Sequence, residues 1–304
     1  MKAGKWERMR NTVEGREDIM KQLDIETSFG RVRVYKKGIG EKKLLLLHGA
    51  GCDNAMLTWR ETIERLYYDD YTAYAVDLLG YGASEHPSEM AGEEFYQKHV
   101  LALREVCDAL ELQDFTLAGL SMGAAIAVRF ALGDPDRVRL LFLIDPWGVT
   151  KRMPFHRFTY RYLKKEKHMR VWYGRMARYR ILAKWMIGYS LIGDKKKITP
   201  ELVNEVWEAC RQKDAYKSMH DYQISSVTKK ACVPFYERDW ERLPMPVIFV
   251  QGEKDALVRK ADVQQAAKTV PNGSYYELKG CKHWSVREQP EEFIRILEEV
   301  QSQR

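Results

Sequence analysis

Between residues 42 and 145, short apolar runs alternate with longer stretches in which apolar side chains recur every three or four positions. Unbroken runs suit strands buried on both faces of a parallel sheet, and the longer period suits helices laid across it. Strands are therefore predicted at 44–47, 73–78, 115–120 and 140–144, with helices at 56–67, 93–112 and 122–132. In the longest helix Phe95, Val100, Leu103, Val106, Cys107 and Leu110 fall on one stripe. An opening hairpin, 23–27 and 32–35 around Phe29 and Gly30, has no helix between its arms and is expected to be antiparallel. The alternation returns after Pro244 and Pro246, as strands 247–250 and 274–278 and helices 260–268 and 291–300. Between about 149 and 242 no strand pattern is found; 157–191 and 200–215 read as helical, punctuated by Gly188 and Gly193. The pattern predicts an α/β fold: a core of 1–148 and 241–304, with a mostly parallel sheet and helices on both faces, and a helical insertion at 149–240.

Composition narrows the class. A chain of 304 residues with 45% hydrophobic and 31% charged residues has ample material for a core, which excludes disorder. Apolar runs such as 140–144 fall far short of the roughly 20 residues that span a bilayer, so no integral membrane segment is predicted. The charged N-terminus does not read as a secretory signal, and a cytoplasmic protein is expected. Cysteines 52, 107, 210, 232 and 281 form no CxxC pair and read as free thiols; Cys52 and Cys281 border candidate functional loops, where they either meet or simply pack. The histidines lack paired ligand spacing, so no metal is expected. No glycine run fits a dinucleotide or P-loop fingerprint, and no nucleic-acid recognition module is found. Charge is uneven: residues 151–240 hold 21 Lys and Arg against 9 Asp and Glu, and the remainder 29 against 34. That shift marks the insertion.

Strand 115–120 runs into Gly119-Leu120-Ser121-Met122-Gly123 and then a small-residue helix. A serine at so sharp a strand-to-helix turn needs glycines on both sides, because side chains there would strike neighbouring backbone. The turn lifts the hydroxyl above the sheet, where the helix N-terminus favours negative charge. A nucleophilic serine needs a base, and the base an orienting acid. Asp255 follows strand 247–250 and His283 follows strand 274–278, each in the loop at the strand's carboxyl end. Asp145, after strand 140–144, is the rival acid, with Asp255 preferred for its Gly252-Glu253-Lys254-Asp255 context.

These residues, taken together, resemble the α/β-hydrolase superfamily in its capped serine hydrolase and esterase branch, over residues 21–150 and 240–302. His48-Gly49-Ala50-Gly51 is similar to the family's oxyanion loop, with Trp59 beyond it, and the turn Asp77 to Ser84 to its DxxGxGxS turn. Asp134-Pro135-Asp136-Arg137-Val138 and His283-Trp284 with Glu288-Gln289-Pro290 match further signatures; Ala124, where many relatives have glycine, departs. The resemblance implies a Ser121, Asp255 and His283 triad. It also implies an oxyanion hole from the backbone N–H of Met122 with Ala50 or Gly51, and no cofactor. His48 is expected to bond its loop's backbone, and Asp77 to brace its turn. Serine at the nucleophile position argues against branches that use a carboxylate there.

The insertion, expected as a cap, carries 15 of the chain's 35 aromatic residues among its basic excess. Aromatics would wall an apolar pocket, with Arg or Lys pairing a carboxylate on the substrate, or would form the insertion's own small core with the basic side chains solvated. The expected activity is hydrolysis of a small or medium apolar, or anionic, carboxylic ester. A monoacylglycerol-type lipase, a carbon–carbon bond hydrolase and an iminopeptidase are alternatives within the class, the last weakened by the basic cap; a non-catalytic ligand receptor is the alternative outside it. The partners expected are a small-molecule ester and, through the basic cap, an anionic lipid surface, with no nucleic acid; the chain is expected as a monomer or homodimer.

Overall fold

The computed structural model describes residues 19–303. Its centre is an eight-stranded sheet: β1 (Lys21–Thr27), β2 (Gly30–Lys37), β3 (Lys42–Leu47), β4 (Tyr71–Val76), β5 (Phe115–Leu120), β6 (Val138–Ile144), β7 (Val247–Gly252) and β8 (Gly273–Leu278). The spatial order is β1-β2-β4-β3-β5-β6-β7-β8. The first two strands pair antiparallel and β2 joins β4 antiparallel; every later pairing is parallel. This is a mostly parallel sheet of an α/β fold, as the alternating pattern anticipates, and it agrees with the α/β-hydrolase fold that the resemblance implies.

Strand period two explains why a run of leucines is needed. Leu44 and Leu46 enter one apolar cluster and Leu45 and Leu47 the other, on opposite sheet faces. On one face lie α1 (Ala55–Arg65) and the C-terminal helix (Pro290–Ser302). On the other lie α2 (Phe95–Ala109) and α3 (Met122–Gly133). Asn54 starts α1 by accepting the amide of Leu57, the standard way a helix start satisfies its free donors.

Between β6 and β7 the chain forms α4 (His156–Leu163), α5 (Glu166–Arg178), α6 (Arg180–Met186) with a π turn at Ile187–Leu191, α7 (Pro200–Arg211) and α8 (Ala215–Ser226). The predicted helix 157–191 is thus broken, at Lys165 and Tyr179, both in extended backbone. Neither break carries Gly or Pro, so local chemistry gives no sign of it. The predicted helix 200–215 ends at Arg211, and α8 follows from Asp214 in left-handed backbone (φ 59°). Among the described residues no helix is long and apolar enough to cross a membrane.

Candidate active site

Ser121 sits at the β5–α3 junction with φ 52° and ψ −112°, outside the regions a non-glycine residue ordinarily adopts. Packing enforces the turn. A Cβ on Gly119 would lie 2.4 Å from the Gly123 carbonyl oxygen, and one on Gly123 would lie 2.4 Å from that of His48. The Ser121 amide donates to the Ile144 carbonyl at 2.9 Å and its carbonyl accepts from the Trp147 amide at 3.1 Å, which tie the turn to β6.

His283 and Asp255 meet as placed: Nδ1 donates to Asp255 Oδ2 at 2.9 Å. Asp255 Oδ1 accepts the amides of Leu257 and Val258, fixing the carboxylate. Burial opposes charge on the imidazole, but Asp255, with Asp145 and Asp53 behind it, outweighs burial, and the His283 pKa is raised. For Asp255 burial is likewise overcome by His283 and the two amides, and its pKa is lowered. Asp145 is engaged elsewhere: Oδ1 accepts from the Gly252 amide at 2.8 Å and Oδ2 from the Ser285 hydroxyl at 2.6 Å. Ligand atoms of Asp145, Asp255 and His283 lie within 4.8 Å of one another, and all three side chains are hydrogen-bonded within the protein. Ser121 and His283 border the same cavity; among the described residues the Ser121 hydroxyl makes no hydrogen bond.

The loop His48 to Gly51 lies against the serine: a Cβ on Gly49 would be 3.5 Å from Ser121 Cβ. His48 Nε2 accepts from the Leu78 amide at 3.0 Å, so Nδ1 carries the proton and donates to Gly49 O at 2.6 Å. Full burial pushes the His48 pKa down to about 4, which keeps the ring neutral. The Gly49 amide is taken by Asp53 Oδ2 at 2.9 Å, and the buried Tyr81 hydroxyl donates to the Ser218 carbonyl at 3.1 Å. The amides of Ala50 and Met122 have no acceptor among the described residues. Asp53 is the residue the sequence reading missed. Buried, it binds Gly49, Asn54 and the Thr58 hydroxyl, and burial lifts its pKa to about 7. Its signal was the Asp-Asn pair just before α1. Asp77 braces its turn, accepting the amides of Ala55 and Ala83, and a Cβ on Gly82 (φ +55°) would strike its carboxylate.

Helix-borne side chains cover these groups. A cavity of about 370 Å³ is lined on one side by Gly49, Ala50, Gly51, Ser121 and His283, and on the other by α4, α5, α6 and α8. Five methionines, Met153, Met169, Met176, Met186 and Met219, share that second wall with Trp172 and Tyr173. No Lys or Arg lines it, so the cationic partner expected for a substrate carboxylate is absent from the wall. The Gln223 side chain borders the cavity, with its buried Oε1 unpartnered. The π turn also positions the histidine loop: Ser190 O and Leu191 O accept the amides of His283 and Trp284, at 3.4 and 2.9 Å. Cys52 meets Cys210 of α7, Sγ to Sγ 2.7 Å, and not Cys281, which is buried beside the Lys279 carbonyl.

Fold and site together define a hydrolase with a helix-covered cavity over a strand-end serine. The sequence pattern of the alpha/beta hydrolase family matches residues 44–296, and the chain belongs to that family. It is 26% identical to carboxylesterase YbfK of Bacillus subtilis over 269 residues, 88% of this chain and 83% of that protein. A 122-residue stretch, 40% of this chain and 41% of the relative, is 33% identical to a 2-hydroxymuconate semialdehyde hydrolase of Pseudomonas. Among solved structures, a serine hydrolase of Cycloclasticus zankles superposes with a TM-score of 0.76 at 18% identity, over 92% of this chain and 96% of that one.

Proposed function

We propose that the protein is a serine esterase that hydrolyses uncharged, apolar carboxylic esters through an acyl-serine intermediate. The observation that carries this reading is the 2.9 Å Asp255–His283 hydrogen bond, bordering the same cavity as Ser121 on its positive-φ turn. In this reading Ser121 Oγ attacks the ester carbonyl carbon as His283 Nε2 takes its proton. Asp255 holds the imidazole by Nδ1 and favours its charged form. The amides of Ala50 and Met122 hold the oxyanion, at roughly 3 kcal/mol of barrier lowering each. Collapse expels the alcohol, which takes the proton from His283. Water, deprotonated by His283, then attacks the acyl carbon; the acid leaves and the proton returns to Ser121. No cofactor enters these steps.

The helical insertion acts as the cap and sets the substrate. A wall of methionine and aromatic side chains accepts varied apolar shapes, because thioether chains repack at little cost. A carboxylate buried against it would lack a partner. The likeness to YbfK supports ester cleavage; the partial likeness to the semialdehyde hydrolase supports carbon–carbon cleavage as a second reading by the same three side chains. Turnover of p-nitrophenyl esters of graded acyl length tests the first. Hydrolysis is expected to rise with acyl length until the cavity is filled and to fall at least about tenfold when the acyl chain ends in a carboxylate. Folded protein that turns over none of them, or that prefers the carboxylate series, contradicts it.

A further inference from the structure

Helices α4, α5 and α6 roof the cavity with their inner sides, through Leu163, Met169, Met176 and Met186. Their outer sides therefore form one surface. At the start of α4 and along it this surface presents Phe155, Phe158 and Tyr162, and on α6 with the π turn Ile181, Trp185 and Tyr189, spaced by three or four residues within each set. These six are from half to more than four-fifths exposed, and Trp185 stacks on Tyr189 at 4.9 Å. Between them α5 exposes Lys167, Arg170, Arg175 and Arg178 on one stripe.

Residues 151–193 hold twelve Lys and Arg against one acid, Glu166. Among the described residues none of the twelve forms an ion pair, whereas on the sheet-bearing half Arg31, Arg65, Arg137, Arg139 and Arg295 are all paired. Two unfavourable features thus coincide: apolar rings in water, and a field of one sign with no counter-charge. A partner that is anionic at its surface and apolar beneath relieves both.

We propose that this face docks on an anionic phospholipid bilayer, the cations on lipid phosphates and the rings among the headgroups. A nucleic acid or an acidic protein would neutralise the charge but would leave Phe158 and Ile181 without an apolar medium. The proposal is independent of the chemistry assigned to Ser121.

The test is co-sedimentation of the full chain with phosphatidylcholine vesicles, with and without about a third phosphatidylglycerol. Pelleting is expected only with the anionic vesicles, and reversal in high salt. Replacing Lys167, Arg170, Arg175 and Arg178 by Gln together is expected to weaken binding by at least about 100-fold. Phe158→Gln with Ile181→Gln is expected to weaken it about tenfold or more. Neither set lines the cavity, and an unchanged thermal midpoint shows that each variant folds. The proposal is overturned if wild type stays in the supernatant, if neutral vesicles bind it equally, or if the Phe158 and Ile181 variant binds as wild type does.

Discussion

The two walls of the cavity are built on different principles. On the sheet side the groups that support the serine have assigned partners: Asp255 on His283, Asp53 on Gly49, His48 on Leu78 and Gly49. Among the described residues the Ser121 hydroxyl and the amides of Ala50 and Met122 are left without a partner, side by side. On the insertion side the lining is mostly methionine, aromatic and leucine side chains, with Gln223 among them, and what matters is volume. Reaction chemistry needs fixed geometry, which restricts residue types and spacing; an apolar wall needs shape, which many sequences supply.

The largest expected effect separates the two acids. Asp255→Asn should lower kcat by about 1,000-fold or more with KM little changed, because the imidazole loses its orienting acceptor. Asp145→Asn should cost far less, since Asp145 serves Gly252 and Ser285. Equal losses, measured by steady-state kinetics, would erase the distinction. Gly123→Ala comes next. Its methyl would lie 2.4 Å from the His48 carbonyl oxygen, so the turn must shift, and activity should fall about 100-fold along with the thermal midpoint. Tolerance of alanine there would mean that the sheet-side wall is less constrained than described.

The pH profile gives a smaller signal. His283 must be neutral to take a proton, so activity is present above its pKa and lost as pH falls through it. Because that pKa is raised, the acid limb of kcat/KM should lie above about 6.5, the ordinary histidine value. In Asp255→Asn the residual activity should show a limb moved to lower pH, since burial then dominates. On the insertion side, Gln223→Leu removes an unpartnered polar group and should raise kcat/KM for alkyl esters, by a few-fold at most. A large change there, of either sign, would mean that this wall also does specific work.

The same contrast explains what could be read from the residues alone. The parallel strands were legible because Leu44 to Leu47 must be apolar on both faces, and the serine turn because Gly119 and Gly123 have no alternative. The pairing of Asp255 with His283 was expected from order along the chain and strand ends. The breaks at Lys165 and Tyr179 were not legible: they let α4, α5 and α6 curve over the cavity, and no breaker residue marks them. Asp53 was not legible either: a carboxylate before a helix ordinarily caps it, whereas here it holds Gly49. For the basic residues the sequence leaves two readings, substrate partners or solvated charge; the inward positions of the insertion are apolar and its cations are exposed, which no periodicity through a broken helix reveals.

Labelling by a fluorophosphonate, followed by peptide mass spectrometry, addresses the nucleophile itself. One phosphonyl adduct per chain is expected, on the peptide that contains Ser121, and it should be lost in Ser121→Ala and strongly slowed in His283→Ala. An adduct elsewhere, or none on folded wild-type protein, would contradict the account.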